Sequence, residues 1–261
     1  MARGNGQAAT LGAEAAPAAA GEVVLAVGLG RGFGGKSTGL AELVWRARNG
    51  GREVIVADGD PRSRTLAGIF PEAMQPPTEE LPDVKAWLTG VLNRMVKERR
   101  SAVLDLGGGD RVLQEYGRDL RLVEFCARRG IEPLALYFLG PEDEDLRHVL
   151  SIWEAGYFRP KRTLLVLNEG VIREGRTVAG AFERTLADPG FERMVREGAA
   201  PVLMTRLACM DLVRRRGLGL YAAAAGDGEA PLDPVEQFMV EDWLADLEGK
   251  RAKAGAAAWL P

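Results

Sequence analysis

The chain has 261 residues, a formal net charge of −3 and 46% hydrophobic residues, which suits one cytosolic α/β domain better than two small ones. Aromatic content is modest, and no apolar run approaches the roughly 18–20 residues of a membrane span. His148 is the only histidine and falls off the Leu146/Val149/Leu150/Trp153 stripe, which removes Ser-His-Asp hydrolysis and histidine-based zinc sites from consideration.

Residues 1–21 are rich in Ala and Gly with almost no large apolar side chains. They lack the continuous apolar stretch of a signal peptide and read as a disordered leader on a cytoplasmic protein. The first strand is the β-branched run Val23–Val27. Directly after it, Gly30-Arg31-Gly32-Phe33-Gly34-Gly35-Lys36-Ser37-Thr38 fits G-x-x-x-x-G-K-[ST], and a helical pattern (Leu40, Leu43, Val44, Ala47) follows. Backbone N–H groups surround a phosphate only where side chains leave room, hence the glycines, and the helix start adds partial positive charge. Lys36 would reach the β- and γ-phosphates, and the Ser37 hydroxyl would complete a Mg²⁺ shell. Two other readings stay open. Gly30, Gly32 and Gly35 also satisfy G-x-G-x-x-G, with Asp58 where a Rossmann acid would stand, and the run could be a plain glycine turn. Neither needs Lys36-Ser37 or explains a second aspartate at a strand end.

The second strand, Val54–Ala57, runs into Asp58-Gly59-Asp60-Pro61-Arg62. Asp58 and Asp60 point the same way if the strand persists; one would hold metal-bound water and the other orient the attacking water. The Pro-rich segment Phe70–Pro82 reads as a surface loop. After Pro82, Val84, Trp87, Leu88, Val91, Leu92, Met95 and Val96 form an apolar helical stripe. The third strand, Ala102–Leu106, carries Asp105 ahead of Gly107-Gly108-Gly109-Asp110. An aspartate ending a strand beside a phosphate loop is the Walker-B arrangement, holding Mg²⁺ through its water shell; the alternative is an aspartate that starts a turn. The glycines after it would let backbone approach the γ-phosphate or a partner subunit. Cys126 shares a stripe with Tyr116, Leu120 and Val123 and reads as a buried thiol, and Cys209 has no partner at metal-ligand spacing.

Strands at Leu134–Leu139, Thr163–Leu167 and Val202–Met204 complete an alternation with helices. This predicts an α/β fold: a doubly wound, mostly parallel sheet with helices on both faces and ligands at the carboxyl ends of the strands. Asn168 closes the fifth strand. Arg214-Arg215-Arg216 follows a short helical pattern (Leu207, Met210, Val213). A last helix starts at Asp233-Pro234-Val235-Glu236, and Val235, Phe238, Met239, Trp243 and Leu247 are expected to dock it. The expected organisation is leader 1–21, domain 22–248 and a flexible tail 249–261.

A glycine-rich phosphate loop after the first strand, D-x-D-P after the second and an aspartate closing the third resemble the ParA/MinD class of deviant Walker ATPases. The loop of that family reads K-G-G-x-G-K-[ST]. Here Arg31 stands in the place of its first lysine, which in the family crosses a dimer interface to the partner's nucleotide. Asp58-Gly59-Asp60-Pro61-Arg62 matches D-x-D-P-Q with arginine for glutamine. The resemblance implies a nucleotide-dependent homodimer that binds ATP with Mg²⁺ and hydrolyses it slowly. Gly32, Phe33, Gly34, Gly35, Lys36, Ser37 and Thr38 would cradle the nucleotide. Ser37, Asp58 and Asp105 would hold the metal, while Lys36, Asp60 and Arg31 act on the reaction. Asn168 would recognise adenine, though a turn-forming asparagine fits equally. Asp105–Asp110 and Met204–Leu207 look more like the TraL-type branch associated with conjugal transfer. Family members bind DNA through C-terminal basic surfaces, which here would be Arg214–Arg216 with Lys250, Arg251 and Lys253; a solvated helix end is the other reading.

Three function classes follow: a nucleotide-switched ATPase acting with DNA or a partner protein, a P-loop kinase or dethiobiotin-synthetase-like enzyme, and a non-hydrolysing interaction module. The second needs an acceptor pocket under Phe70–Pro82 or near Arg173-Glu174-Gly175-Arg176.

Overall fold

The computed structural model describes residues 22–261 apart from 33, 61–62, 108–109 and 174–176; the leader 1–21 lies outside it. Six strands build one sheet: β1 (Val23–Leu29), β2 (Val54–Asp58), β3 (Ser101–Asp105), β4 (Ile131–Leu139), β5 (Arg162–Asn168) and β6 (Ala200–Met204). Their order is β2-β3-β1-β4-β5-β6, and every pairing is parallel. The chain leaves β1 for the far edge at β2, returns through β3, then crosses β1 to β4. That reversal opens a crevice at the carboxyl end of β1.

Alternate residues of β1 face opposite cores. Val23, Leu25, Val27 and Leu29 pack on one side, Val24 and Ala26 on the other, which is why this strand is apolar throughout. One face is covered by α1 (Lys36–Asn49), α2 (Thr65–Ile69), α9 (Met210–Arg215), α10 (Leu220–Ala225) and α11 (Pro234–Lys253). The other carries α3 (Leu81–Glu98), α4 (Asp110–Leu120), α5 (Leu122–Arg128), α6 (Asp143–Ala155), α7 (Glu183–Leu186) and α8 (Pro189–Arg196). The apolar stripe of α3 buries Val84, Trp87, Leu88, Val91, Leu92 and Met95 as its spacing requires; each such side chain contributes roughly 1.5–3 kcal/mol when fully buried. Cys126 is buried, which pushes its thiol pKa up to about 12.

Two expectations change. The Phe70–Pro82 segment is not wholly a surface loop: Phe70 and Ala73 are buried, and Met74 bridges to Ala57 at the edge of β2. The C-terminal tail is not frayed. α11 continues to Lys253, Arg251 is buried, and Ala256 and Leu260 pack into the core behind it. Arg251 forks onto Glu42 of α1, which is itself buried, and Tyr221 donates to the same carboxylate at 3.5 Å. A second fork joins Arg46 to Glu248 at 3.0 and 2.7 Å. The last helix thus clamps the helix that follows the glycine-rich loop. It docks through Val240, Trp243 and Leu247, whereas Val235, Phe238 and Met239, expected to share that role, are exposed.

Candidate functional site

The loop from β1 to α1 ends on Gly35, the residue that precedes α1, with φ of 77°. A side chain is excluded there twice over. That φ disfavours any residue with a Cβ, and a Cβ would overlap Nδ2 of Asn168. Asn168 donates from Nδ2 to the Gly34 carbonyl at 3.0 Å and accepts from the Gly170 N–H at 2.9 Å. It is buried, so this amide ties the glycine-rich loop to the end of β5. Gly32 has open space in front of it, and Lys36 is buried at the first turn of α1. Phe33 lies outside the described residues.

The carboxylates are placed by sheet register. Asp105 pairs with Gly28 of β1 on one side and with Asp58 of β2 on the other. Asp105 is 1% exposed; Ser37 Oγ donates to its Oδ2 at 2.6 Å, and its Oδ1 is buried without a hydrogen-bond partner. Burial pushes its pKa up to about 6, against the pull of the Lys36 charge and the Ser37 hydroxyl; Asp58 and Asp60 push it further in the same direction as burial.

Asp58 is occupied differently. Its Oδ1 accepts from the Asp60 N–H at 3.0 Å and its Oδ2 from the Ala67 N–H at 2.8 Å, so it shapes the loop and caps the first turn of α2. β2 stops at Asp58, so Asp60 is not one strand period further on but in the loop. Asp60 accepts from Ser63 Oγ at 2.8 Å and from the Ser63 N–H at 3.3 Å. Its carboxyl lies against Gly107, where any Cβ would overlap it. The glycine after Asp105 therefore makes room for Asp60. Among the described residues, no three His, Cys, Asp or Glu side chains converge closely enough to hold an ion by themselves. The orphaned Asp105 Oδ1 beside the Ser37 hydroxyl does fit Mg²⁺, which takes one or two protein ligands and draws the rest from water and phosphate.

Lys36, Ser37, Asp60 and Gly107 line one cleft of about 1870 Å³, larger than the roughly 300–1,000 Å³ of common ligand pockets. Its lining runs from Lys36, Ser37 and Thr38 past Asp60 and Gly107 to Glu79–Pro82, and also includes Arg214 and Gly217–Gly219. Arg31 is turned elsewhere: its Nη1 pairs with Asp145 of α6 at 3.4 Å, the arginine half-exposed and the aspartate largely covered. Burial raises the Asp145 pKa and the Arg31 charge lowers it.

Compared with known protein families and with curated proteins, the sequence matches none. Among solved structures the chain is similar to chloroplast FtsY from Physcomitrella patens, at 17% identity and TM-score 0.47 over 85% of this chain and 64% of that one. It is also similar to the MinC:MinD cell division protein complex of Aquifex aeolicus, at 13% identity and TM-score 0.48 over 85% and 95%. A third is the signal recognition particle receptor FtsY of Elizabethkingia anophelis, at 12% and 0.49 over 85% and 65%. The chain thus spans about two thirds of the FtsY structures and nearly all of the MinC:MinD chain. At such identities and scores these likenesses carry nothing about the site.

Three polar groups of the site had no signal of their own in the sequence. Asp145 belongs to the acidic first turn Asp143-Glu144-Asp145, a pattern that only complements a helix dipole. Ser63 sits in the turn before α2, where a serine is an ordinary turn residue. Arg214 donates to Thr38 Oγ1 at 2.8 Å and does not stand with its neighbours: Arg216 bonds the Pro231 carbonyl, and Arg251 is buried on Glu42. Of the basic residues expected to form one DNA surface, Arg214, Arg216 and Arg251 thus have separate partners. Of the second acceptor segment considered, residues 174–176 lie outside the described residues.

Proposed function

We propose that this chain is a nucleotide-switched ATPase that binds ATP with Mg²⁺ and hydrolyses it slowly. The observation that carries this is Ser37 Oγ, which lines a wide cleft next to the buried Lys36, bonded to a buried Asp105 whose other oxygen has no partner. Burying an ionisable group with an unmatched oxygen costs stability, and the arrangement makes sense where a cation shares it. Lys36 binds the terminal phosphates, and the glycine N–H groups hold the rest of the chain. Ser37 and Asp105 would hold Mg²⁺, which neutralises phosphate charge. Asp60, on the cleft wall beside Gly107, orients the water that attacks the γ-phosphorus as the bond to the bridging oxygen breaks. Asp58 holds that loop in shape, and Asn168 anchors the phosphate loop. The choice of adenine over guanine rests on the ParA/MinD resemblance, as do the face-to-face homodimer, the cytoplasmic setting and an output in DNA partition, positioning or conjugal transfer.

A second reading has one observation of its own: the cleft extends to Glu79–Pro82, where a small-molecule acceptor of a P-loop kinase or ligase would sit. Sedimentation with Mg²⁺ and a non-hydrolysable ATP analogue separates the two. The switch predicts a shift to dimer without any metabolite. A protein that binds the analogue and stays monomeric at high concentration favours the kinase class.

A further inference from the structure

We propose that Arg214 is a nucleotide-contacting residue that grips the α-phosphate end of the ligand; this rests on the nucleotide reading above. Of the described side chains lining the cleft, Lys36 and Arg214 carry the positive charge, while Asp60, Glu79 and Glu80 are negative. A triphosphate keeps net negative charge even with one divalent ion, so a second cation at the wall has electrostatic work to do. Arg214 comes from α9, more than 170 positions from the phosphate loop, and its Nη2 donates to Thr38 Oγ1 at 2.8 Å. Its other contact is an exposed pair with Asp211 at 3.7 Å, an interaction worth little in water. A guanidinium has five N–H donors, so the bond to Thr38 leaves most of the fork for ligand oxygens.

The anchor point decides which phosphate. Lys36 serves the β- and γ-phosphates, whereas backbone N–H groups of the loop serve the α and β. Thr38 lies two residues beyond Lys36 and one beyond the Ser37 hydroxyl in the first turn of α1, and it is bonded to Arg214, whereas Asp60 accepts from Ser63 and lies against Gly107. A cation fastened to Thr38 therefore meets the end of the phosphate chain that ATP and ADP share. Its neighbour Arg215 is exposed and no part of the cleft lining, and Arg216 is held by the Pro231 carbonyl. Of the three consecutive arginines, Arg214 is the one that lines the cleft.

Calorimetric titration of the full chain with ATP and with ADP, both with Mg²⁺, tests this on wild type, Arg214→Ala, Arg214→Lys and Arg215→Ala. Arg214→Ala is expected to weaken ATP and ADP by a similar factor, about 10- to 100-fold, the range for hydrogen bonds to charged groups. Arg214→Lys regains only part, because an ammonium cannot fork, and Arg215→Ala matches wild type. Melting curves check folding, and Arg214→Gln, which keeps the side-chain stem, replaces the alanine variant if that one unfolds. Wild-type affinity in the Arg214 variants overturns the inference and leaves the nucleotide reading standing. Weakened ATP with normal ADP overturns the α-phosphate assignment. Wild type binding neither nucleotide overturns the nucleotide reading itself.

Discussion

Ser37 Oγ and Asp105 Oδ2 lie 2.6 Å apart, joining the start of the phosphate-loop helix to the end of the strand beside β1. The bond leaves Asp105 Oδ1 buried and unpartnered, so a carboxylate that weakens the fold is kept where a cation would use it. This is the arrangement expected of a site built for ligand rather than for stability.

Asp105 gives the first prediction, for stability in EDTA. Its folded pKa of about 6 lies above the 3.8 of the free group, so the folded state holds more protons between those values. Unfolding stability from this group therefore falls as pH rises from about 4 to 6 and stays low above that window. The full effect is on the order of 3 kcal/mol at 1.36 kcal/mol per unit. Asp105→Asn should lose that dependence and melt higher than wild type at neutral pH, while losing the Mg²⁺ dependence of nucleotide affinity. Urea melts at several pH values, with equal slopes for the two proteins, would contradict the assignment.

Asp60→Ala should cut turnover by about 10²–10⁴-fold, the range for a positioned acid–base group, and leave nucleotide affinity nearly unchanged. The carboxyl accepts from Ser63 and lies against Gly107, and the glycines that would cradle the phosphates stay in place in the variant. Single-turnover hydrolysis and a nucleotide titration on the same variant check both halves. Lost binding would move Asp60 into the metal site.

Arg31→Ala should weaken the proposed nucleotide-dependent dimer more than it weakens nucleotide binding by the monomer. Asp145→Asn should have the opposite effect on the dimer, because it releases a guanidinium that is held within its own chain at 3.4 Å. Sedimentation with a non-hydrolysable analogue reads both. Identical dimer constants in the two variants would remove Arg31 from the interface.

Arg251→Ala should destabilise the whole domain by about 3–5 kcal/mol, the cost of breaking a buried ion pair from one side, since it strands Glu42 in the core. Removing residues 250–261 should cost more, because Leu260 and Ala256 leave with it. Denaturant midpoints measure this. A truncated protein as stable as the full chain would mean that the clamp between α11 and α1 has no energetic weight.

Much of the fold was legible because parallel strands buried on both faces are apolar without alternation. Val23–Val27 and Leu134–Leu139 announced β1 and β4, and Asp58 and Asp105 stood out as charges ending such runs. The turn between β1 and α1 was legible for the same kind of reason: its glycines mark a tight loop, and Gly35 at φ 77° ends it where the helix starts. What escaped depended on contacts across long sequence separations. Lys250–Pro261 looked like a frayed tail because small and charged residues signal nothing until Glu42 is found opposite Arg251. Phe238 and Met239 looked like docking residues because helical spacing gives a stripe but not which flank meets the body. Asp58 and Asp60 were expected to act side by side, but the strand ends at Asp58, and the backbone N–H groups of Asp60 and of Ala67 in α2 take the first. Arg214 was indistinguishable from Arg215 and Arg216 until Thr38 selected it.

The central claim is that Gly30–Thr38 is a working nucleotide site, and Lys36→Ala tests it most directly. Lys36 is buried at a helix start that faces the cleft, so its loss removes the cation that meets the terminal phosphates while leaving the packing of α1 on β1 in place. Titrations with Mg²⁺-ATP and thermal melts, run side by side on wild type and variant, give the answer. Micromolar or tighter binding by wild type, lost in a variant that melts normally, is the predicted result. Equal affinity in the two proteins, or no binding by either, would contradict it.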